Sequence, residues 1–227
     1  MPTSTTLGYD DLPALLTLLT GDEKHDWSAL STLDVLWVLY DRVLRIDPHD
    51  PDDPTRDRFL LSKGHGPAAY YAVLAAKGFV DTESLADFGR FESQLGYHPD
   101  RVLVPGVEIS SGSLGHGLPI AVGMALALDA QKRDGARVVC LVGDAELDEG
   151  SNWEAIQLAG RLGLGRLTVV VVDNRSSTYH WPGGIDARFE LEGWGSTRVD
   201  GRDHDALERA LMMAGPEPRA VIAEVQR

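Results

Sequence analysis

The chain is predicted to be α/β, a three-layer α/β/α sandwich around a mostly parallel sheet. Three observations predict this. Short β-branched runs stand at 137–142, 167–173, 196–199 and 220–225, and stretches with helical periodicity separate several of them. Runs such as "LTVVVV" do not alternate with polar residues, so they suit strands buried on both faces, as parallel strands are. Strand–helix–strand order then closes the sheet between two helical layers. The 227 residues contain no repeat and no convincing linker, which predicts a single domain over 1–227.

Helical periodicity runs through 10–20, 31–45, 66–78, 116–132, 152–162 and 203–214. The Pro/Asp-rich "DPHDPDDPT" at 47–55 reads as a surface loop. In open parallel sheets, ligands sit beyond the carboxyl ends of the strands. That rim receives Gly143–Asp144 after one run and Asp173–Asn174 after the next.

Composition narrows the function classes. A formal net charge of −14 argues against nucleic acid as a partner and repels small anions at long range. A bound phosphate would need local devices: backbone N–H groups, a helix N-terminus, a histidine or a metal. The single cysteine, Cys140, excludes a disulfide framework and a cysteine zinc site and fits a reducing, cytoplasmic setting. "MPTSTTLGYDD" has no signal-peptide pattern, and no apolar stretch reaches the ~18 residues of a membrane span. No two histidines show H-x-x-x-H spacing, which argues against histidine-bound zinc.

The segment "GDAELDEGSNWEA", 143–155, places five carboxylates in thirteen residues. Asp144 offers a carboxylate at one strand end. Asn174, thirty positions on, offers an amide oxygen, and the "NRSS" loop a carbonyl, most simply that of Ser176. Hard oxygens on neighbouring strand ends suit Mg²⁺ or Ca²⁺. Turn-capping by Asp144 and Asn174 explains the spacing equally well. Ser151 and Glu154 form S-x-x-E, a capping box before an amphipathic helix. Glu146, Asp148 and Glu149 read as solvated acids near a helix N-terminus. Upstream, "SKGHG" (62–66) and "SSGSLGHG" (110–117) each open a helix with glycines that admit close backbone approach.

Taken together and in order, these segments resemble the diphosphate-binding, N-terminal part of transketolase, and more closely the N-terminal subunit of a split, two-chain transketolase. "DRFLLSKGHG" (57–66) is similar to the family's D-R-F-x-L-S-N/K-G-H-G/A. "YHPD…PGVEISSGSLGHGLPIAVGMALA" (97–127), "GDAELDEGSNWEA…DN" (143–174) and "GWGSTRVDGRD" (193–203) match three further family segments. The resemblance runs from about residue 10 to the C-terminus.

It implies thiamin diphosphate with Mg²⁺ or Ca²⁺. Asp144, Asn174 and Ser176 fall on the metal ligands. His65 and the stretch Gly143, Asp144, Ala145 and Glu146 fall on diphosphate contacts. Gly112, Ser113 and Leu114 fall on the segment that meets the aminopyrimidine and the cofactor centre. His25 and His98 fall on histidines facing the substrate. Glu149 and Glu154 fall between the family's paired active sites.

Two departures stand out. The family's G-D-G reads "GDA", and its G-H-x-G-G reads "KHDWS" at 24–28. The chain also ends where the family continues with a basic, Gly-rich segment and a pyrimidine-binding domain. The resemblance therefore implies a second subunit carrying the pyrimidine-binding and C-terminal domains, sugar or sugar-phosphate substrates, and a heterotetramer. The implied activity is transfer of a two-carbon ketol unit from a ketose to an aldehyde. The alternatives are another thiamin-dependent C–C reaction, favoured by "KHDWS", and a non-catalytic scaffold subunit that binds its cofactor weakly, favoured by Ala145. A dinucleotide binder would need a G-x-G-x-x-G between strand and helix, which this sequence lacks.

Overall fold

Alternate residues of each apolar run point to opposite faces of one sheet, and that alternation builds two cores. The structure is a computed structural model that describes residues 7–19, 30–179 and 181–225. Its strands are β1 (Arg58–Leu61), β2 (Val138–Gly143), β3 (Leu167–Asp173), β4 (Gly195–Asp200) and β5 (Arg219–Glu224). They lie in the order β1-β2-β3-β5-β4, and every pairing is parallel. β2 to β5 coincide closely with the expected runs. β1 goes beyond them, because "RFLL" is short and abuts a Gly-rich turn.

On one face, Phe59, Val139, Leu141, Val170, Val172 and Val221 pack under α1 (Leu12–Leu18), α2 (Leu33–Val38), α3 (Pro67–Ala76) and α7 (His204–Leu211). On the other, Leu60, Val138, Cys140, Val142, Val169 and Ile222 pack under α4 (Gly117–Ala130), α5 (Gly150–Leu162) and α6 (Gly184–Leu191). These are the three layers predicted. β3 is buried on both faces except at Thr168 and Asp173, which explains its unbroken valine run. Truncating Val170 to alanine would leave an unfilled space and cost roughly 2 kcal/mol.

α3 explains why "GPAAYYAVLAA" carries no polar stripe: all ten of its residues are buried. α6 also goes beyond the sequence reading, since the preceding "PGG" marks a break; both of its leading glycines sit at positive φ. The chain passes from β3 over β5's position to β4 and then returns to β5. That reversal opens a crevice beyond the carboxyl ends of the strands. Among the described residues, no helix is long and apolar enough to cross a membrane.

Candidate functional site

β2 ends at Gly143, which pairs with Val172, so Asp144 and the loop after Asp173 leave the sheet side by side. Asp144 is buried, 1% exposed. Its carboxylate accepts hydrogen bonds from the Ser176 N–H at 2.6 Å, the Ser176 hydroxyl at 2.5 Å and the Ser177 N–H at 2.9 Å. Asp148, a turn further along, acts in the same way. It accepts from the Ser177 hydroxyl at 2.8 Å, and from the Thr178 N–H and hydroxyl at 3.1 and 2.9 Å. Two carboxylates of the acidic segment thus stitch down the loop after β3. Arg175, at φ +61°, makes the turn that brings it back.

Asn174 stands at the hinge of that loop. Its Nδ2 donates to the Ser31 hydroxyl at 3.5 Å, while its Oδ1 is buried with no hydrogen-bond partner among the described residues. An orphaned buried carbonyl costs about 1–3 kcal/mol unless something else satisfies it. A hard cation beside Asp144 is one such group, and the oxygen donors present fit it. Among the described residues no three His, Cys, Asp or Glu side chains converge on a metal-sized site. A cation here would therefore have to draw on amide and backbone oxygens besides Asp144. The expectation for Ser176 concerns its carbonyl; its N–H and hydroxyl both donate to Asp144.

Glu146 corrects an expectation. It is not a solvated loop acid but 1% exposed. Its carboxylate accepts from the Ser62 hydroxyl, from the Gly115 N–H at 3.0 Å and from the Gly143 N–H at 3.4 Å. One buried side chain thereby ties the three glycine-bearing segments together. The Ser62 hydroxyl accepts the Gly117 N–H at 3.0 Å, and a Cβ on Gly117 would sit 2.3 Å from it, so only glycine fits. Burial pushes the Glu146 carboxyl above the usual glutamate range, against the pull of Ser62, the two N–H groups and the Lys63 charge.

Lys63 is a site residue that the sequence reading overlooks. It is a buried cation, 5% exposed, whose ammonium donates to the His65 carbonyl at 2.6 Å while its stem lies against Gly143. The only signal in the sequence is a charge placed between an apolar strand and a Gly-rich turn. His65 itself is exposed, and so is His98. Gly112, at φ +121°, lies so close to the His98 ring that a Cβ there would approach it to 2.6 Å. Ser113 and Leu114 are exposed at the tip of the same loop, with Leu114 against Gly64.

The capping box is corrected too. α5 begins at Gly150 with Glu149 at its N-cap and no side-chain cap. Ser151 already lies inside the helix, and its hydroxyl donates to the Gly115 carbonyl at 2.7 Å. Glu149 and Glu154 are exposed at the start of this helix. Ala145 opens a short 3₁₀ turn, Ala145–Asp148, and its φ is not positive, so its methyl needs no unusual backbone. His25 and the rest of "KHDWS" lie outside the described residues.

A cleft of about 410 Å³ runs beyond the strand ends, lined among others by Asp144, Asp173, Ser177, Trp181 and Arg198. Arg198 spans it, donating to Asp173, Glu224 and Asp186. Arg188 lies 3.2 and 3.7 Å from the ring centroids of Trp153 and Trp181, which fastens the end of the β3 loop to α5.

Comparison with known proteins gives a consistent result. Residues 18–225 match the family described as "Transketolase, thiamine diphosphate binding domain". The chain is 54% identical over 224 residues to "Ferredoxin fas2" of Rhodococcoides fascians, covering 98% of this chain and 74% of that protein. Whatever that name reflects there, Cys140 alone cannot supply the four thiolates of an iron–sulfur cluster. The chain is 37% identical over 196 residues to "6-deoxy-6-sulfo-D-fructose transketolase subunit SqwG" of a Clostridium species, covering 84% of this chain and 71% of that one. In structure it resembles the transketolase of Campylobacter jejuni, with a TM-score of 0.78 and 28% identity. That match covers 95% of this chain but only 37% of the solved one.

Proposed function

Because this chain belongs to the family of transketolase thiamine diphosphate binding domains, we propose that it is one diphosphate-binding domain acting as a subunit of a two-chain transketolase. It holds the diphosphate half of the cofactor with Mg²⁺, and a partner subunit completes the site. The observation that carries this reading is the pairing of buried Asp144 with the orphaned Oδ1 of Asn174 on adjacent strand ends. The relative whose name makes it one subunit of a transketolase supports the partner.

In this reading Asp144, Asn174 and a carbonyl of the Ser176 turn hold the cation. His65 and the backbone of Gly143–Glu146 face the diphosphate, with Lys63 a buried positive charge whose stem lies beside Gly143. Gly112, Ser113 and Leu114 present backbone to the cofactor's centre. When bound, thiamin diphosphate supplies the electron sink for moving a two-carbon ketol unit from a ketose to an aldehyde. His98, backed by Gly112 and open to solvent, hydrogen-bonds the substrate's hydroxyl or carbonyl oxygen and moves a proton there. His25 shares that task. Glu149 and Glu154 lie toward a second copy of the site in a heterotetramer.

The test is reconstitution. The purified chain, supplied with thiamin diphosphate and Mg²⁺, should show no ketol transfer on a panel of sugar phosphates. Activity should appear on adding a partner that carries the pyrimidine-binding domain, and should saturate with it. Robust turnover by this chain alone would overturn the two-chain reading. Saturable assembly without any cofactor binding would favour a scaffold role.

A further inference from the structure

The opposite end of the sheet carries a second cleft, of about 340 Å³, lined by Arg45, Thr55, Lys132, Arg133, Asp134 and Gly135. It opens beside the amino-terminal ends of β1 and β2. β2 is six residues long, which puts this cleft about 20 Å from Asp144 at roughly 3.3 Å per residue. It is a site apart from the one above.

Its charge is organised. Asp57 is fully buried and accepts from Arg45 Nη2 at 2.8 Å and from Arg137 Nη2 at 2.8 Å. One carboxylate thus holds two guanidinium groups, so a positive surplus is built into the sheet end. Arg45 also donates to the Gly135 carbonyl, yet its side chain stays 57% exposed. Lys132 and Arg133 are exposed and make no ion pair among the described residues. The lining carries three cations, Arg45, Lys132 and Arg133, against one carboxylate, Asp134, with Asp53 held behind the wall by Thr55, on a chain whose net charge is −14.

The backbone adds an independent observation. α4 ends in a Schellman turn: the Arg133 N–H donates to Leu128 O at 2.9 Å and the Lys132 N–H to Asp129 O at 3.0 Å. The residue in the left-handed position of such a turn is usually glycine. Here it is Lys132, at φ +56°. A lysine is unfavourable in that conformation, and the turn gains nothing from its side chain. What the side chain does gain is a place on the cleft wall.

We propose that this cleft binds a small phosphate-bearing anion. Guanidinium forks and an ammonium suit phosphate oxygens. The volume lies near the lower end of ligand pockets, roughly 300–1,000 Å³, and among the described residues no aromatic ring lines it for a base to stack on.

Calorimetry on the full chain tests this, in buffer with EDTA so that the Asp144 rim has no cation with which to clamp a phosphate. Inorganic tripolyphosphate is one probe and glucose 6-phosphate the other, which separates a polyphosphate source from a sugar monoester. At least one should bind saturably, one per chain. Lys132→Gly and Arg133→Ala should each weaken it about tenfold or more. Lys132→Gly should melt no lower than wild type, because glycine relieves the turn. Asp144→Ala should leave the binding unchanged. The proposal is overturned if neither probe binds, if binding survives both cleft variants, or if it disappears with Asp144.

Discussion

Ser176 turns both its N–H and its hydroxyl onto the carboxylate of Asp144, at 2.6 and 2.5 Å. With the Ser177 N–H, three donors therefore hold the oxygens that a cation would need. Cation binding must compete with this loop. Ser176→Ala removes one competitor and should tighten Mg²⁺-dependent thiamin diphosphate binding, by up to about tenfold. Asp144→Ala should abolish it, and EDTA should release cofactor from the wild-type complex. Calorimetry on the assembled enzyme checks all three. Unchanged affinity in Asp144→Ala would return the acidic segment to a structural role.

Ala145 sits in a 3₁₀ turn at ordinary φ, so its methyl carries no strain to relieve. Ala145→Gly should change cofactor affinity by no more than about tenfold, roughly 1.4 kcal/mol. Titration of both proteins side by side measures this. A much larger gain in the glycine variant would favour a weak-binding scaffold.

Glu146 should make stability depend on pH in a particular direction. Its folded carboxyl is raised above the ordinary 4.5, chiefly by burial. The folded state then holds a proton that the unfolded chain has released. That stabilising contribution is full below 4.5 and is lost as pH rises through the raised value. Glu146→Gln keeps an acceptor and removes the charge, so it should lose this component. The melting temperature of wild type minus that of Glu146→Gln should fall across the window. Glu146→Ala strands Ser62 and the Gly115 N–H and should cost about 2 kcal/mol or more below pH 4.5, and less as pH rises through the window. A flat difference between wild type and the glutamine variant would mean that the buried pocket does not raise Glu146.

Gly112 is fixed by its positive φ and by the His98 ring behind it. Gly112→Ala combines backbone strain with a clash and should cost about 1–3 kcal/mol. It should also displace His98, visible as a changed imidazole resonance in nuclear magnetic resonance spectra. An unshifted His98 would show that the ring is held by something other than this glycine.

Much of this protein is legible in its residue order. The valine run of β3 has to be a strand buried on both faces, because six β-branched or leucine positions in seven cannot sit at a water boundary. The same logic places Asp144 and Asn174 at neighbouring strand ends, since parallel strands in succession leave the sheet on one side. β1 escapes notice because four residues carry too little periodicity. α6 does so because "PGG" announces a break and gives no sign of the helix beyond it.

Other features are settled by side chains distant in sequence. Ser151 and Glu154 spell a capping box, yet Ser151 bonds Gly115, thirty-six residues away, and the helix starts before it. Glu146 looks like one solvated acid among five until Ser62, Gly115 and Gly143 close around it. Lys132 and Arg45, 87 positions apart by their numbers, share a cleft only because β1 and β2 are neighbours. Periodicity and strand-end motifs are properties of local sequence, so the chain alone determined the sheet, its layers and the rim. Which carboxylate is buried, and which cation is left without a partner, depends on desolvation and pairing by residues far along the chain. Only the tertiary structure decided those.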